Sequence, residues 1–262
     1  MHAKFNLAPE QNNWSEYIDA GREIHKDNQN IVRSKLDIFK KANNALEAKN
    51  IIENWFPDIE ADVFLSHSHK DADLIIGLAG WLYKEFNIKA FIDSTVWGYA
   101  NNLLKMIDDA CCRLNPSGNT YNYNLRNQST SHVHMMLSTA LTEMIDRCEC
   151  IIFVNTQNSF TPKDYIEGEG KTESPWIYSE IAMTRIIRQR SPEEHRKRRM
   201  SDSYSIAKEN MSTARSVHIE YETDLLHLTP LSIKDLNKWA RESKSQKLIS
   251  HPLDLLYNLK RK

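Results

Sequence analysis

The segment Asp62-Val63-Phe64-Leu65-Ser66-His67-Ser68-His69-Lys70-Asp71 carries most of the information about the fold. Its first half is a short apolar run, typical of a strand that is buried on both faces of a sheet. Its second half is polar and follows at once, at the place where open α/β sheets bind their ligands. The segment therefore predicts a buried strand with a site at its carboxyl end.

A helix and a second strand are predicted after this segment. Asp71 is expected to cap the helix and Asn87 to end it. Residues 88–93 (IKAFID) form a second short apolar run. Strand, helix and strand in this order predict a parallel pair within an α/β fold. The apolar stripe of the helix has three- and four-residue spacing and consists of Ile75, Leu78, Ala79, Leu82 and Phe86.

Two further elements bear on the site. Residues 114–131 are polar and poor in aliphatic side chains, which predicts a long loop. Residues 150–154 (CIIFV) predict another buried strand. Ser174 is expected to be the N-cap of a later helix and Pro175 its first-turn proline. This helix carries Trp176 and, four residues on, Glu180, so that an aromatic face and a carboxylate share one of its sides.

The domain organisation follows from these elements. Residues 1–58 are expected to form an N-terminal helical extension, because apolar residues there follow three- and four-residue spacing up to about residue 53. Residues 59–262 are expected to form the main domain, with a long insertion around 99–131 and a helical segment at its end. The 262 residues suit one large domain, or a domain of common size with an extension.

Composition excludes several classes of function. Lys and Arg total 34 and Asp and Glu total 35, so no global field draws the protein to nucleic acid or to a membrane. No apolar stretch approaches the roughly 20 residues of a membrane span, and no signal-peptide core is present, so we expect a cytoplasmic protein. The seven glycines match neither the spacing of the dinucleotide-binding motif G-x-G-x-x-G nor that of the Walker phosphate-binding loop. No metal site is expected, because zinc spacing is absent among the four cysteines, Cys111, Cys112, Cys148 and Cys150.

Four of these stretches resemble, in order, the signature boxes of the TIR (Toll/interleukin-1 receptor) domain family. They are residues 63–71 (VFLSHSHKD), residues 91–94 (FIDS), residues 150–156 (CIIFVNT) and the helix from Ser174 to Glu180. The match covers roughly residues 62–221, so residues 59–262 would be a TIR domain. The resemblance implies a flavodoxin-like parallel sheet flanked by helices. Many bacterial, plant and axonal members of the family cleave the bond between nicotinamide and ribose in NAD. The resemblance therefore also implies this activity.

The resemblance also assigns roles to residues. In catalytic members a glutamate four residues after a tryptophan is the essential acid, which implies that Glu180 is the catalytic carboxylate. Trp176 would be a wall of the pocket, and His67 would face the nicotinamide end. The implied contacts to ribose and base come from Ser66, Asp93 and Trp97, and Trp97 would begin the loop through which TIR domains self-associate.

The expected reaction uses NAD as a substrate and no cofactor. It would yield nicotinamide and an ADP-ribose species that is linear, cyclic or transferred, and a separate effector protein would sense the product. The resemblance thus suggests a stand-alone bacterial signal producer that assembles into homo-oligomers, such as the TIR component of a Thoeris antiphage system.

Two other interpretations stay open. A TIR domain can act as a non-enzymatic adaptor through homotypic assembly. The pattern His67, His69 and Asp71 also fits the metal-binding motif of metallo-β-lactamase-type hydrolases, although Ala72 stands where that class has a further histidine.

Within the insertion, Tyr121, Tyr123 and Arg126 are either contacts to the adenine or the phosphates, or solvated loop residues. The basic cluster around residues 195–199 is interpreted as a solvated helix face.

Overall fold

A computed structural model describes residues 1–9, 14–27, 46–56, 59–115, 118–160, 170–198, 221–245 and 251–260. At residues 25–27, 93–99, 170 and 198 it describes the backbone alone.

A sheet of five strands lies at the centre. The five strands are β1 (Ala3–Leu7), β2 (Val63–Ser66), β3 (Ala90–Ile92), β4 (Cys150–Val154) and β7 (Thr229–Leu231). Their order in the sheet is β3-β2-β4-β1-β7, and every neighbouring pair is parallel. This confirms the predicted α/β class, and the arrangement is consistent with a flavodoxin-like fold. A separate antiparallel ribbon is formed by β5 (Gly170–Thr172) and β6 (Tyr221–Thr223).

The N-terminal segment differs from its prediction. Helix was expected up to about residue 53, but β1 is a strand inside the sheet, paired with β4 on one side and β7 on the other. Flavodoxin-like sheets have the strand order 2-1-3-4-5. In this chain β3, β2 and β4 occupy the first three places of that order. The fourth place is taken by β1, the first strand of the chain. The residues before the main domain therefore contribute to its core.

Helices cover both faces of the sheet, as the parallel strands require. The helices are α1 (Ile18–Asp27), α2 (Ala48–Trp55), α3 (Ala72–Phe86), α4 (Asp93–Cys111), α5 (Tyr123–Arg147), α6 (Pro175–Ile186), α7 (Pro192–Arg198), α8 (Ile233–Ser245) and α9 (Pro252–Lys260). On one face the buried side chains of α3, α8 and α9 pack against Val63, Leu65 and the alternate residues of β4, and α1 packs on α3. On the other face α2, α4 and α5 pack against Phe64, Phe91 and Ile151.

Glycines set the contact between α1 and α3. A Cβ atom built on Gly80 would lie 2.2 Å from the carbonyl oxygen of Tyr17, and one on Gly21 would lie 2.1 Å from that of Ile76. Gly77 faces the carbonyl of Trp14 in the same way, at 2.5 Å. Contacts below 3.0 Å are not tolerated by real Cβ atoms. The chain can therefore run backbone against backbone here only because these positions lack side chains.

The insertion is largely helical and not a long loop. Helix α5 begins at Tyr123, where the side chain of Asn122 accepts a hydrogen bond from the backbone N–H of Leu125 at 3.1 Å. The buried carboxylate of Asp108 on α4 accepts from Arg126 at 2.9 Å and from the Ser129 hydroxyl. These polar contacts, and not aliphatic packing, join the first turns of α5 to α4, so the sequence pattern did not reveal a helix.

A buried ion cluster closes the amino-terminal edge of the sheet. Glu149, fully buried just before β4, receives two hydrogen bonds from Arg196, at 2.7 and 3.1 Å, and one from the hydroxyl of Tyr257 at 3.0 Å. Arg196 also donates to both carboxylate oxygens of Asp254, at 2.7 and 3.1 Å. Burial alone would lower the pKa of Arg196, but the hydrogen bonds to Asp254 and Glu149 raise it. The predicted solvated face of residues 195–199 is therefore wrong at Arg196.

All four cysteines are free thiols. None of the helices in the described ranges combines the length and the apolar character needed to cross a bilayer.

Candidate functional site

The strand order places a crevice between β2 and β4. From β2 the chain proceeds to β3 on one side and then to β4 on the other, so the direction of winding changes between β2 and β4. Open α/β sheets bind ligands outside the carboxyl ends of the strands at such a switch point. Ser66 ends β2 and lies opposite Phe153 of β4. The polar residues that follow these two strands are therefore the first candidates for a site.

Glu180 reaches this point from α6. The hydroxyl of Ser66 donates a short hydrogen bond to Oε2 of Glu180, and each residue is only 1 % exposed. Carboxylates are rarely buried to this degree unless they have hydrogen-bond partners. Two residues that the sequence nominated for one site thus meet, although 114 positions separate them.

Apolar packing fixes the orientation of α6. Ile177 and Ile181 lie in a small buried cluster with Phe153 of β4. Glu180 stands next to Ile181 and three residues after Ile177, so the same helix face turns its carboxylate toward the strand ends. The helix begins as predicted, with Pro175 in its first turn and the Ser174 side chain accepting a hydrogen bond from the N–H of Ile177 at 3.3 Å.

Trp176 and His67 flank this pair in different ways. Trp176 is half-buried, packs against the core on the α5 side, and meets the ring of His134 edge-on at a centroid distance of 5.6 Å. His67 is 2 % exposed, and its Nδ1 donates to the carbonyl of Leu65 at 3.1 Å. The rings of His67 and His69 lie 6.2 Å apart. These contacts make His67 an integral part of the strand end.

Asp93 and Trp97 are placed by their backbone alone. Helix α4 follows β3 without a connecting loop and includes both positions. The prediction that Trp97 begins a loop is therefore wrong, because the helix already starts at Asp93. Their side chains lie outside the described residues, so their predicted substrate contacts stay predictions.

A polar clasp beside the crevice was missed at the sequence level. The carboxylate of Asp71 accepts from the hydroxyl of Thr156 at 2.5 Å and from the side-chain amide of Asn158 at 2.6 Å. Asp71 stands at the N-cap position of α3, as expected, but its side chain makes no capping hydrogen bond there. Asp71 thereby joins the segment after β2 to the turn after β4, across the switch point. Polar residues directly after the buried strand 150–154 were the available signal, since the strand ends of a switch point lie side by side.

The alternative sites are not assembled in the described ranges. No group of three or more His, Cys, Asp or Glu side chains there could hold a metal ion, and Asp71 is engaged in the clasp. In the insertion, Tyr121 donates to Asp109 at 2.5 Å, and the guanidinium of Arg126 lies 5.2 Å from the centre of its ring. These two residues serve the junction of α4 and α5, while Tyr123 is 76 % exposed.

Chemically, the site offers one oriented carboxylate beside a hydroxyl, with an aromatic residue one turn earlier on the same helix. Such a carboxylate can stabilise a developing positive charge, and it is screened little by water because it is buried. Comparison of the chain with protein-family models, with curated proteins and with solved structures found no match.

Proposed function

We propose that this protein cleaves the bond between nicotinamide and ribose in NAD, with Glu180 as the catalytic carboxylate. The observation that carries the proposal is the hydrogen bond between Ser66 and Glu180 at the carboxyl ends of the sheet strands. The resemblance of four ordered sequence stretches to the TIR family supports the choice of NAD as the substrate.

One carboxylate is sufficient for this chemistry. When the glycosidic bond to C1′ of the ribose breaks, both bonding electrons leave with nicotinamide, which is cationic in NAD and departs neutral. No general acid is needed to protonate it. The ribose is left with an oxocarbenium-like positive charge, which a carboxylate stabilises much as in glycosidases. Water or a hydroxyl of the same or another molecule then adds to C1′ and loses a proton, giving linear, cyclic or transferred ADP-ribose.

The burial of Glu180 adds a requirement. At 1 % exposure the carboxylate does not meet a substrate until neighbouring groups move. Substrate binding or self-assembly therefore has to open the site, and gating of this kind is common in enzymes that exclude water. We propose that activity depends on protein concentration for this reason, and that the product acts as a cytoplasmic signal for a separate effector in antiphage defence.

The test is release of nicotinamide from NAD, measured by chromatography with purified protein over a range of concentrations and with a crowding agent. Glu180→Gln keeps the shape of the side chain and its hydrogen bonding to Ser66, and removes the charge. We expect nicotinamide release to fall by about 10²–10³-fold or more, the range for loss of a group that stabilises transition-state charge. The matched control is Glu194→Gln, an exposed position on α7 that should retain full activity. Undiminished turnover in folded Glu180→Gln would reject the assignment.

A second candidate is a non-enzymatic adaptor that signals through assembly. The same burial favours it, because a covered carboxylate hydrogen-bonded to a serine also serves as a purely structural contact. In that case the wild-type protein releases no nicotinamide at any concentration, while its sedimentation shows assembly. Release of nicotinamide by the wild type but not by Glu180→Gln would favour the enzyme over the adaptor.

A further inference from the structure

A groove lies at the opposite, amino-terminal edge of the sheet, away from Glu180. Strand β1 begins at Ala3, whereas its neighbour β7 first pairs with it at Phe5, so the outer edge of β1 is uncovered at its start. The groove encloses about 310 Å³ and runs between this edge, the start of β7 and the end of α9. It is large enough for a small organic ligand, which commonly occupies clefts of about 300 Å³ or more.

The groove is lined by two lysines and by polar and aromatic side chains. Lys4, Lys260, His2 and His227 contribute to its walls, together with the amide of Gln189. Among the described residues that line it, no side chain is a carboxylate. Asp235 lies behind Lys260, 3.0 Å from its ammonium, and neutralises part of that charge. The lining therefore presents net positive charge to a ligand.

Lys4 is the most constrained of these groups. One of its three N–H donors is used at the carbonyl of Thr184, near the end of α6, which leaves donors that point elsewhere. Burial lowers its pKa, which means that the surrounding protein disfavours its charge. An anion in the groove would offset this cost, since the attraction between opposite charges is stronger where water is partly excluded.

His227 is held in a fixed orientation beside Lys4. The hydroxyl of Thr184 donates to the carbonyl of Ile181 at 2.6 Å, so its oxygen accepts from Nε2 of His227 at 2.7 Å. This N–H is therefore used within the protein. On the α9 side, the ring of Tyr257 meets the ring of His2 at a centroid distance of 4.7 Å. The groove thus combines the ammonium groups of two lysines with an aromatic wall.

We propose that this groove is a binding site for a small phosphate monoester, with Lys4 and Lys260 as the ligands of the phosphate and Tyr257 as the wall for its organic part. Two lysine ammonium groups suit a dianion better than a monoanion. The site is separate from the one that contains Glu180. Helix α6 reaches both, because Thr184 follows Glu180 by one turn.

The experiment uses the full chain and isothermal titration calorimetry, without NAD. The probes are phenyl phosphate, which carries an aromatic group, and inorganic phosphate, which does not. We expect saturable binding of phenyl phosphate and weaker binding of inorganic phosphate. Lys4→Met and Lys260→Met are each expected to weaken phenyl phosphate binding by about tenfold or more, the loss of about 1.4 kcal/mol. Lys238→Met, an exposed lysine on α8, is the matched control and should bind normally.

Failure of this proposal is distinct from failure of the proposed function. Glu180→Gln is expected to bind phenyl phosphate as the wild type does, whatever its effect on NAD. The proposal is overturned if no saturable binding occurs up to about 10 mM phenyl phosphate, a concentration that reports even weak sites. It is also overturned if Lys4→Met and Lys260→Met both bind normally, or if Lys238→Met loses binding to the same extent. Melting temperatures of all variants identify any that fail to fold, and Lys260→Met tests the site if Lys4→Met is unstable.

Discussion

Ser66, the last residue of β2, donates a hydrogen bond to Glu180 on α6, 114 positions later in the chain. Both side chains are covered, so the contact joins a helix to the end of a strand at the switch point of the sheet. It brings a nominated acid and a nominated binding residue into contact.

Replacement of Ser66 by alanine removes a partner of a buried carboxylate. We expect Ser66→Ala to lower the free energy of unfolding by about 1–3 kcal/mol, measured by urea denaturation. In a double-mutant cycle with Glu180→Ala, which removes the acceptor, the two effects should not add, because the residues share one hydrogen bond. Ser131→Ala, at an exposed hydroxyl that bonds only within α5, should change stability by less than about 0.5 kcal/mol. Additive effects in the cycle would show that the contact is absent in solution.

Gly80→Ala tests the close approach of α1 and α3. The added methyl group would meet the carbonyl of Tyr17, which directly precedes α1, and the backbone nitrogen of Gly21 within α1, so the two helices must separate. We expect a loss of about 1–3 kcal/mol in the free energy of unfolding, typical of overpacking, although alanine has the higher helix propensity. Gly118→Ala is the control. The atom nearest to its added Cβ would be the Cβ of Asn115 at 3.4 Å, which is an ordinary van der Waals distance. A stabilised Gly80→Ala protein would contradict the described packing.

Arg196→Met tests the ion cluster at the other edge of the sheet. It leaves the fully buried Glu149 without its guanidinium, so we expect a loss of about 3–5 kcal/mol in urea denaturation. The double variant Arg196→Met/Glu149→Gln should recover part of this loss, since no buried charge then remains unpaired. Lys197→Met, exposed on the same helix, is the control. Equal stability of the Arg196 and Lys197 variants would refute the cluster.

His251 makes stability depend on pH. Burial and, after it, the charge of Arg196 lower the pKa of His251 below its ordinary value of 6.5. Its Nδ1 accepts a hydrogen bond from the N–H of Leu253 at 3.3 Å, which requires the unprotonated nitrogen. Because the unfolded chain binds a proton more readily than the folded one, stability should fall as the pH drops from about 7.5 through 6.5 and toward the lowered folded pKa. His227, whose pKa burial also lowers, acts in the same direction.

The measurement is urea denaturation between about pH 7.5 and 5.5, the range in which histidine titrates. His251→Asn retains an acceptor for the N–H of Leu253 and should show a shallower fall over this range. His132→Gln, at an exposed position of α5, should show the wild-type dependence. A His251→Asn protein with an unchanged pH profile would contradict the prediction.

The parts of the fold that the sequence predicted are those in which one local pattern dominates. The continuous apolar runs of β2 and β4 identified strands buried on both faces, and Asn87 ended α3 with the left-handed backbone, φ 55°, that its position requires. Strand β1 alternates apolar and polar residues, which is a strand pattern, but it is only five residues long and was passed over in favour of the helical spacing that follows it. In the structure Lys4 is satisfied by a helix carbonyl 180 positions away, which no local pattern reveals.

The candidate site divides in the same way. The spacing of Trp176 and Glu180 and the caps of α6 were readable, since they depend on neighbours within one helix. The contact of Asp71 with Thr156 was not, because it joins two loops 85 positions apart. The sequence instead favoured the local use of Asp71 as a helix cap. Long-range polar contacts of this kind depend on which strands are neighbours, here β2 and β4, and the spacing of residues along the chain does not reveal that.

The interior position of β1 in the sheet has a consequence for biogenesis. On the ribosome this strand is made long before either of its partners, β4 and β7, so its hydrogen-bonding edges stay open while most of the domain is synthesised. Pairings that are so distant along the chain give a high contact order and slow folding, and unsatisfied strand edges favour aggregation. Nascent chains that are released early should therefore depend on chaperones, and yields on expression should rise when translation is slowed or the temperature is lowered.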